Sequence, residues 1–186
     1  MIFAIDPGDI KSGYCILSDD LSEIIEKDKI DNYDLLDRIN FYCQSKNNDF
    51  IPVIEMIKSY GMSVGETVFD TCVWIGRIKQ FLIDKGFKED DINYIYRYEE
   101  KLYICHSPKA NDTTIRQALI DRFAKGVKNY GKGTKKEPGF FYGFGKDMWS
   151  AFAVAVTYHD KKIEKEITDK YRKWWFGKIE RYNKSY

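Results

Sequence analysis

Three carboxylates stand where they could act together. Asp6 ends the apolar run IFAID, Glu55 stands near the end of the run FIPVIEM, and Asp147 precedes a stretch that is nearly all apolar or small. Like-charged carboxylates placed together need a cation between them, and hard oxygen ligands favour Mg²⁺ or Mn²⁺. Two such ions about 3.5–4 Å apart activate water and stabilise the leaving oxygen when a phosphodiester is hydrolysed. These acids are therefore a candidate centre for that chemistry.

Each acid taken alone also fits a plainer role. Asp6 precedes a Pro-Gly pair and could be a turn residue, Glu55 could be a surface acid, and Asp147 could cap a helix. The metal-centre interpretation therefore depends on whether the fold brings the three acids to one place.

The first third of the chain predicts four strands and a helix. IFAID and SGYCILS are short apolar runs joined by the turn DPGDIK, which predicts a β-hairpin that ends its first strand at Asp6. A third strand is expected over about Leu21–Ile30. The spacing of Leu35, Ile39 and Tyr42 predicts a helix, and residues 50–56 predict a fourth strand.

The rest of the chain predicts mostly helix. The expected elements are a helix over Ser63–Lys85, a strand over 92–98, a helix over Asp112–Phe123, a Gly/Lys/aromatic loop over 126–146, a buried helix over Met148–His159 and a basic helix over Lys161–Lys184. This order predicts an α/β fold with a five-stranded mixed sheet flanked by helices. We expect one domain over residues 1–160 and a basic, aromatic helical tail over 161–186.

The predicted helix Ser63–Lys85 is apolar on two flanks, so both need a cover. The flank expected against the sheet consists of Val64, Val68, Cys72, Ile75 and Leu82. The second flank consists of Phe69, Val73 and Phe81. It could meet a partner subunit, or it could pack under the aromatic tail residues Trp174, Trp175 and Phe176.

Composition excludes several classes of protein. The chain has 186 residues with 44% hydrophobic and 32% charged residues, which suits a folded domain rather than a disordered chain. It has no apolar run long enough to span a membrane, and its N-terminus does not resemble a signal peptide. Four cysteines stand far apart without a CxxC pair, which indicates reduced thiols. We expect a cytoplasmic protein with no membrane partner.

The net charge of +1 hides an uneven distribution. Residues 1–60 hold six Lys and Arg against twelve Asp and Glu, whereas residues 101–146 hold ten against three, and 161–186 nine against four. Such asymmetry favours a polyanion approaching one side of the molecule, although a solvated basic face would show the same counts.

The glycine-rich loop supplies candidate nucleic-acid contacts. It lacks the GxxxxGK[ST] order of a phosphate-binding loop. Its basic and aromatic side chains suit phosphate contact together with stacking on unpaired bases. These residues are Lys125, Lys128, Lys132, Lys135, Lys136, Tyr130, Phe140, Phe141 and Tyr142. A surface loop held by hydrophobic anchors is the alternative.

Four stretches resemble the RuvC-like Holliday-junction resolvases of the RNase H-like superfamily, of the type found in phages or mobile elements. In chain order they are FAIDPGDIKSGYCIL (3–17), VIEMIKSYGMSVGETVFDTCVWIGRI (53–78), SPKANDTTIRQALIDRF (107–123) and KDMWSAFAVAVTYH (146–159). The match spans roughly residues 2–159, so the tail lies beyond the resemblance. The combination is specific to this family, although DPG alone is not.

The resemblance implies an RNase H-like fold and a metal-dependent crossover junction endodeoxyribonuclease. Its metal ligands and catalytic residues would be Asp6, Glu55 and Asp147, holding two Mg²⁺ ions, with Mn²⁺ as substitute. The substrate implied is a four-way junction or other branched DNA, cut by paired nicks in a homodimer that uses the long helix as its contact. Lys109 and Arg116 would lie on the side of the acids and position the scissile phosphate, unless they are ordinary surface charges.

One position departs from the family pattern. The family usually carries a second acid one helical turn along the last helix, and this chain has Ser150 there. A serine hydroxyl can hold a water molecule beside a metal but is a poor ligand.

Two hypotheses about function follow: an active, structure-selective nuclease, or a non-catalytic relative that binds branched DNA. Sugar kinases and actin-like ATPases share a DxG hairpin, but they need two such domains and this chain is too short.

Overall fold

Five strands and five helices form the computed structural model, which describes residues 1–59, 61 and 65–183, and side chains as far as residue 172. The strands are β1 (Ile2–Asp6), β2 (Lys11–Leu17), β3 (Ile24–Asp31), β4 (Ile51–Met56) and β5 (Asn93–Tyr96). The helices are α1 (Asn32–Lys46), α2 (Glu66–Asp84), α3 (Arg97–Cys105), α4 (Asp112–Phe123) and α5 (Lys146–Asn183).

The strands form one mixed sheet in the order β3-β2-β1-β4-β5. The strands β1, β2 and β3 pair antiparallel, whereas β4 lies parallel to both β1 and β5. The predicted five-stranded mixed sheet is confirmed. Because β1, β4 and β5 run in the same direction, the residues at their carboxyl ends lie at the same edge of the sheet.

Alternate strand residues face two separate cores, because successive side chains point to opposite faces. Ala4 and Val53 belong to the core that packs against α4 and α5, while Ile5 and Ile54 belong to the core covered by α1 and α2. The residues two positions beyond Ala4 and Val53 are therefore directed toward the α5 side.

The start of α5 lies close against β2. A Cβ atom on Gly13 would stand 2.6 Å from the carbonyl oxygen of Asp147, so glycine is needed for this approach. The β1–β2 turn is held equally firmly, because Ser12 donates a 2.6 Å hydrogen bond to Asn32, whose amide donates to the carbonyl of Gly8 at 3.0 Å. The elements on either side of Asp6 are thus fixed.

Most element boundaries differ from the prediction by three residues or fewer, and two elements differ in kind. The fifth strand stops at Tyr96 rather than residue 98, and α3 follows at once. The helices predicted over Met148–His159 and Lys161–Lys184 are a single helix that ends at Asn183. Neither Gly nor Pro separates the two segments, so nothing interrupts the backbone hydrogen bonds. The domain boundary that we expected after residue 160 falls inside this helix.

The predicted faces of α2 also need correction. Its buried residues are Trp74, Ile75, Ile78 and Leu82, and the last three belong to the core against the sheet, whereas Trp74 packs on Tyr33 of α1. Cys72, which was predicted to face the sheet, is exposed. Phe81, which was predicted on the second flank, packs against the core instead. Phe69 and Val73 do remain outside, with 61% and 53% of their surface exposed. Val64 and the side chains of Trp174, Trp175 and Phe176 lie outside the described residues.

All four cysteines are free, as their spacing predicted. Within the described ranges, no helix combines the length and the apolar character that crossing a bilayer would require.

Candidate functional site

Asp6 and Glu55 lie side by side at the ends of two parallel strands. The register pairs Ile5 with Ile54, so the next residue of each strand meets its neighbour on the α5 side of the sheet. Burial raises the pKa of Asp6 well above its usual range, and the charge of Glu55 raises it further. The two carboxyl groups are close enough to share a hydrogen bond when one is protonated.

Asp147 joins this pair from the first turn of α5. Its backbone lies against Gly13, which is the cross-strand partner of Asp6, and its charge contributes to the raised pKa of Asp6. The carboxylate of Asp147 forms an ion pair with Lys29 of β3, with 2.8 Å between Nζ and Oδ2. The structure thus gathers the three acids that the sequence singled out, and it adds a lysine that the sequence did not indicate.

Ser150 follows one turn after Asp147 and is half-buried. The hydroxyl of Ser150 lies near Asp6 and lowers its pKa, opposing the larger effects of burial and neighbouring charge. Ser150 therefore lies beside the acids, although it supplies no charge.

Glu100 is a fourth acid at this edge, and the sequence analysis did not identify it. It lies on α3, directly after β5, and is fully buried. Burial raises its pKa to about 8, against the lowering effect of Arg97, which donates hydrogen bonds to Glu100 and to Asp112. Burial first, and the charge of Glu100 next, raise the pKa of Glu55 to about 7.

A local signal for α3 was present in the sequence. Glu99 accepts a hydrogen bond from the backbone N–H of Tyr96, which is the capping arrangement that starts many helices. The acidic pair Glu99–Glu100 in a first turn is typical of a helix start. The alternating aromatic residues before it favoured a longer strand instead.

The chemistry of these four carboxylates fits a divalent cation such as Mg²⁺ or Mn²⁺. The Oε1 atom of Glu100 is buried without any hydrogen-bond partner, as an acceptor awaiting a cation would be. Within the described part of the chain, however, no three His, Cys, Asp or Glu side chains stand together in a ligating arrangement. The ion pair of Lys29 with Asp147 and that of Arg97 with Glu100 compete with such an arrangement.

A basic cleft of about 410 Å³ opens next to the acids. Arg97, which donates a hydrogen bond to Glu100, and Ser150, which lies near Asp6, both line this cleft, so the cleft adjoins the acids. Trp149 lies beneath the guanidinium of Arg116 at 5.1 Å and restricts its orientation. The cationic side chains of the lining are Arg97, Arg116, Lys132 and Lys146.

The predicted nucleic-acid contacts divide between the cleft and the surface around it. Arg116 and Lys132 line the cleft. The other predicted basic contacts are exposed and do not line it: Lys109, Lys125, Lys128, Lys135 and Lys136.

Two of the predicted stacking residues are unavailable. Phe141 is fully buried and Phe140 stacks on Phe123 at 5.4 Å, so both anchor the loop to the core. The prediction that they stack on bases is wrong, because the apolar residues of α4 and α5 provide a better environment for them. Tyr130 and Tyr142 remain exposed.

No protein-family model and no curated protein sequence matches the chain. Solved structures similar to it include two with TM-scores of 0.58 and 0.57. The first is Thermus thermophilus RuvC in complex with a Holliday junction substrate, with 11% identity over 88% of this chain and 94% of that one. The second is Thermus thermophilus RuvC, with 11% identity over 88% and 95% of the two chains. This chain therefore has a RuvC-like fold of the RNase H-like class.

Proposed function

We propose that this protein is a metal-dependent endonuclease that cuts four-way junctions or other branched DNA. The observation that carries the proposal is that the acidic cluster, formed by Asp6, Glu55 and Asp147, adjoins the basic cleft. Cationic side chains attract a phosphate backbone, and carboxylates that repel one another attract the divalent ions that hydrolyse it. The RuvC neighbour solved with a Holliday junction supports the choice of substrate.

Each part of the site has a role in this proposal. Asp6, Glu55 and Asp147 would hold two Mg²⁺ or Mn²⁺ ions, which activate water and stabilise the leaving oxygen in such centres. Arg116 and Lys132 hold the phosphates of the cut strand in the cleft. Lys29 keeps Asp147 paired until a cation takes its place.

The same proposal includes a homodimer. A four-way junction has two symmetry-related strands to cut, and one chain carries one acidic cluster. Two-fold symmetry in the protein would match that of the substrate. The exposed residues Phe69 and Val73 on α2 provide a candidate contact between the subunits. We further propose that the protein works in the cytoplasm, associated with DNA, in keeping with its free thiols.

A non-catalytic protein that binds branched DNA is the second candidate. Ser150 in place of an acid and the ion pair of Lys29 with Asp147 favour it, because both weaken metal binding. The retention of Asp6, Glu55 and Asp147 together favours the nuclease, since a protein without chemistry would gain stability by replacing buried, mutually repelling acids.

Incubation of a labelled four-way junction with Mg²⁺ or Mn²⁺, beside a linear duplex of the same arm sequence, tests the proposal. We expect symmetrically placed nicks in the junction, little cutting of the duplex and no cutting in EDTA. Tight junction binding with no cleavage in either metal would instead support the non-catalytic candidate.

A further inference from the structure

Glu100 lies where a ligand of the acidic cluster would have to lie. The strand β5 is parallel to β4 and pairs Ile95 with Glu55, and α3 then brings Glu100 to the same edge of the sheet. Glu100 is close enough for its charge to act on both Asp6 and Glu55. It therefore adjoins the cluster from the side opposite to Asp147.

The two carboxylate oxygens of Glu100 have different surroundings. Oε2 accepts a hydrogen bond from Arg97, whereas Oε1 is buried and has no partner. Leaving a buried acceptor unpaired is costly, and more so for a charged group. The free, buried oxygen points to a cation.

The charges around Glu100 lead to the same conclusion. Arg97 is shared with Asp112, so it compensates neither carboxylate fully. The acidic side chains at this edge are Asp6, Glu55, Glu100, Asp112 and Asp147, and the cations paired with them are Lys29 and Arg97. Because the acids outnumber these cations, all of them can be ionised together only when divalent ions offset the excess negative charge.

We propose that Glu100 is a metal ligand of this cluster and supplies the carboxylate that Ser150 does not. This inference rests on the proposed metal-dependent function. The acid is contributed by the helix after β5 instead of by the last helix, so the cluster keeps four carboxylates in a different arrangement.

Mn²⁺ binding to the full chain without DNA tests the inference, by calorimetry and by electron paramagnetic resonance of the free ion. Glu100→Gln keeps the shape and the acceptor for Arg97, and we expect it to lose one ion or to bind it roughly tenfold more weakly, or worse. Glu99→Gln is the matched control: Glu99 contacts Lys161 and the Tyr96 backbone, so this variant should bind Mn²⁺ like the wild type. Wild-type stoichiometry and affinity in Glu100→Gln would overturn the inference.

Asp6→Asn, measured in parallel, separates this inference from the proposed function. If Asp6→Asn loses Mn²⁺ and Glu100→Gln does not, the metal centre stands and Glu100 is only the partner of Arg97. If neither variant changes binding, the metal centre fails together with the inference.

Two further measurements extend the test, and the second uses the wild-type chain, so it does not require Glu100→Gln to fold. The double variant Glu100→Gln/Ser150→Asp restores a fourth acid and should recover the lost ion. If it loses Mn²⁺ as the single variant does, the claim that Glu100 supplies the carboxylate missing at Ser150 is contradicted. In a crystal of the wild-type chain with Mn²⁺, the anomalous signal should lie at coordination distance from Glu100. A bound ion that Glu100 does not contact would overturn the inference.

Discussion

At the scale of single residues, the raised pKa of Glu55 makes the free energy of unfolding depend on pH. Its pKa rises from 4.5 to about 7, so the folded chain retains a proton that the unfolded chain has already released. The stability contributed by this proton is complete below pH 4.5 and is lost as pH rises toward 7. In EDTA, we expect the wild type to lose more stability between pH 5 and pH 8 than Glu55→Gln does, as measured by urea unfolding.

The same comparison in Mg²⁺ provides the control. A bound cation favours the ionised carboxylates, so the loss of stability between pH 5 and pH 8 should shrink in the wild type, and it should shrink less in Glu55→Gln, which lacks one ligand. Equal pH dependence of the two chains in EDTA would mean that Glu55 is not the group that the fold perturbs.

Lys29 is the residue that competes most directly with a cation for Asp147. Lys29→Met removes the ion pair, and we expect Mg²⁺ to bind several-fold more tightly, because Asp147 is then free to turn toward the ion. A magnesium titration followed by thermal stability measures this. Lys11→Met is the control, since Lys11 pairs with Asp31 on the neighbouring strands. Weaker Mg²⁺ binding in Lys29→Met would show that the lysine positions Asp147 instead of competing for it.

The sequence predicted part of this site for a clear physical reason. Asp6 and Glu55 stand near the ends of apolar runs, and parallel strands carry such residues to one edge. Lys29 could not be predicted in the same way, because its contact depends on the pairing register of β2 and β3. Glu100 was missed because α3 itself was read as the end of a strand.

At the scale of elements, α2 carries the proposed subunit contact. Phe69→Asp places a charge on the exposed flank, so we expect a dimer to become a folded monomer at micromolar concentration by sedimentation. Phe41→Asp, at a residue of α1 that is also more than half exposed, should leave the dimer intact. A wild-type chain that stays monomeric even on junction DNA would contradict the paired-nick proposal and leave a simple nicking nuclease.

The bounds of an element were predicted correctly where capping residues and the pattern of buried residues indicated the same ends. The helix α4 begins and ends where the sequence indicated, and Asn111 caps it by accepting the backbone N–H of Thr114 at 3.0 Å. The faces of α2 were harder to predict, since several helical rows of apolar residues compete and only packing decides which row meets the sheet. Two helices were predicted in place of the continuous α5, because its residues change from buried to exposed along its length and this change was taken for a boundary.

At the scale of the whole molecule, the uneven charge predicts strong salt dependence of DNA binding. Replacing Lys132, Lys135 and Lys136 together by Gln should weaken junction binding and flatten its log–log salt dependence by about 0.9 for each lost phosphate contact. Fluorescence anisotropy over a salt series measures the slope. Lys46→Gln is the control, because Lys46 precedes β4 at the opposite edge of the sheet. An unchanged slope in the triple variant would remove this loop from the DNA interface.

Single-turnover cleavage of a labelled four-way junction by Asp6→Asn, with binding measured on the same preparation, tests the central claim most directly. Loss of a ligand to catalytic ions costs several kcal/mol, so cleavage should fall by about a thousandfold or more. Binding should stay the same or tighten, because a negative charge near the phosphates is removed. Asp20→Asn, at an exposed acid of the β2–β3 turn, should cleave normally. Cleavage by Asp6→Asn at the wild-type rate would contradict the assignment of this centre.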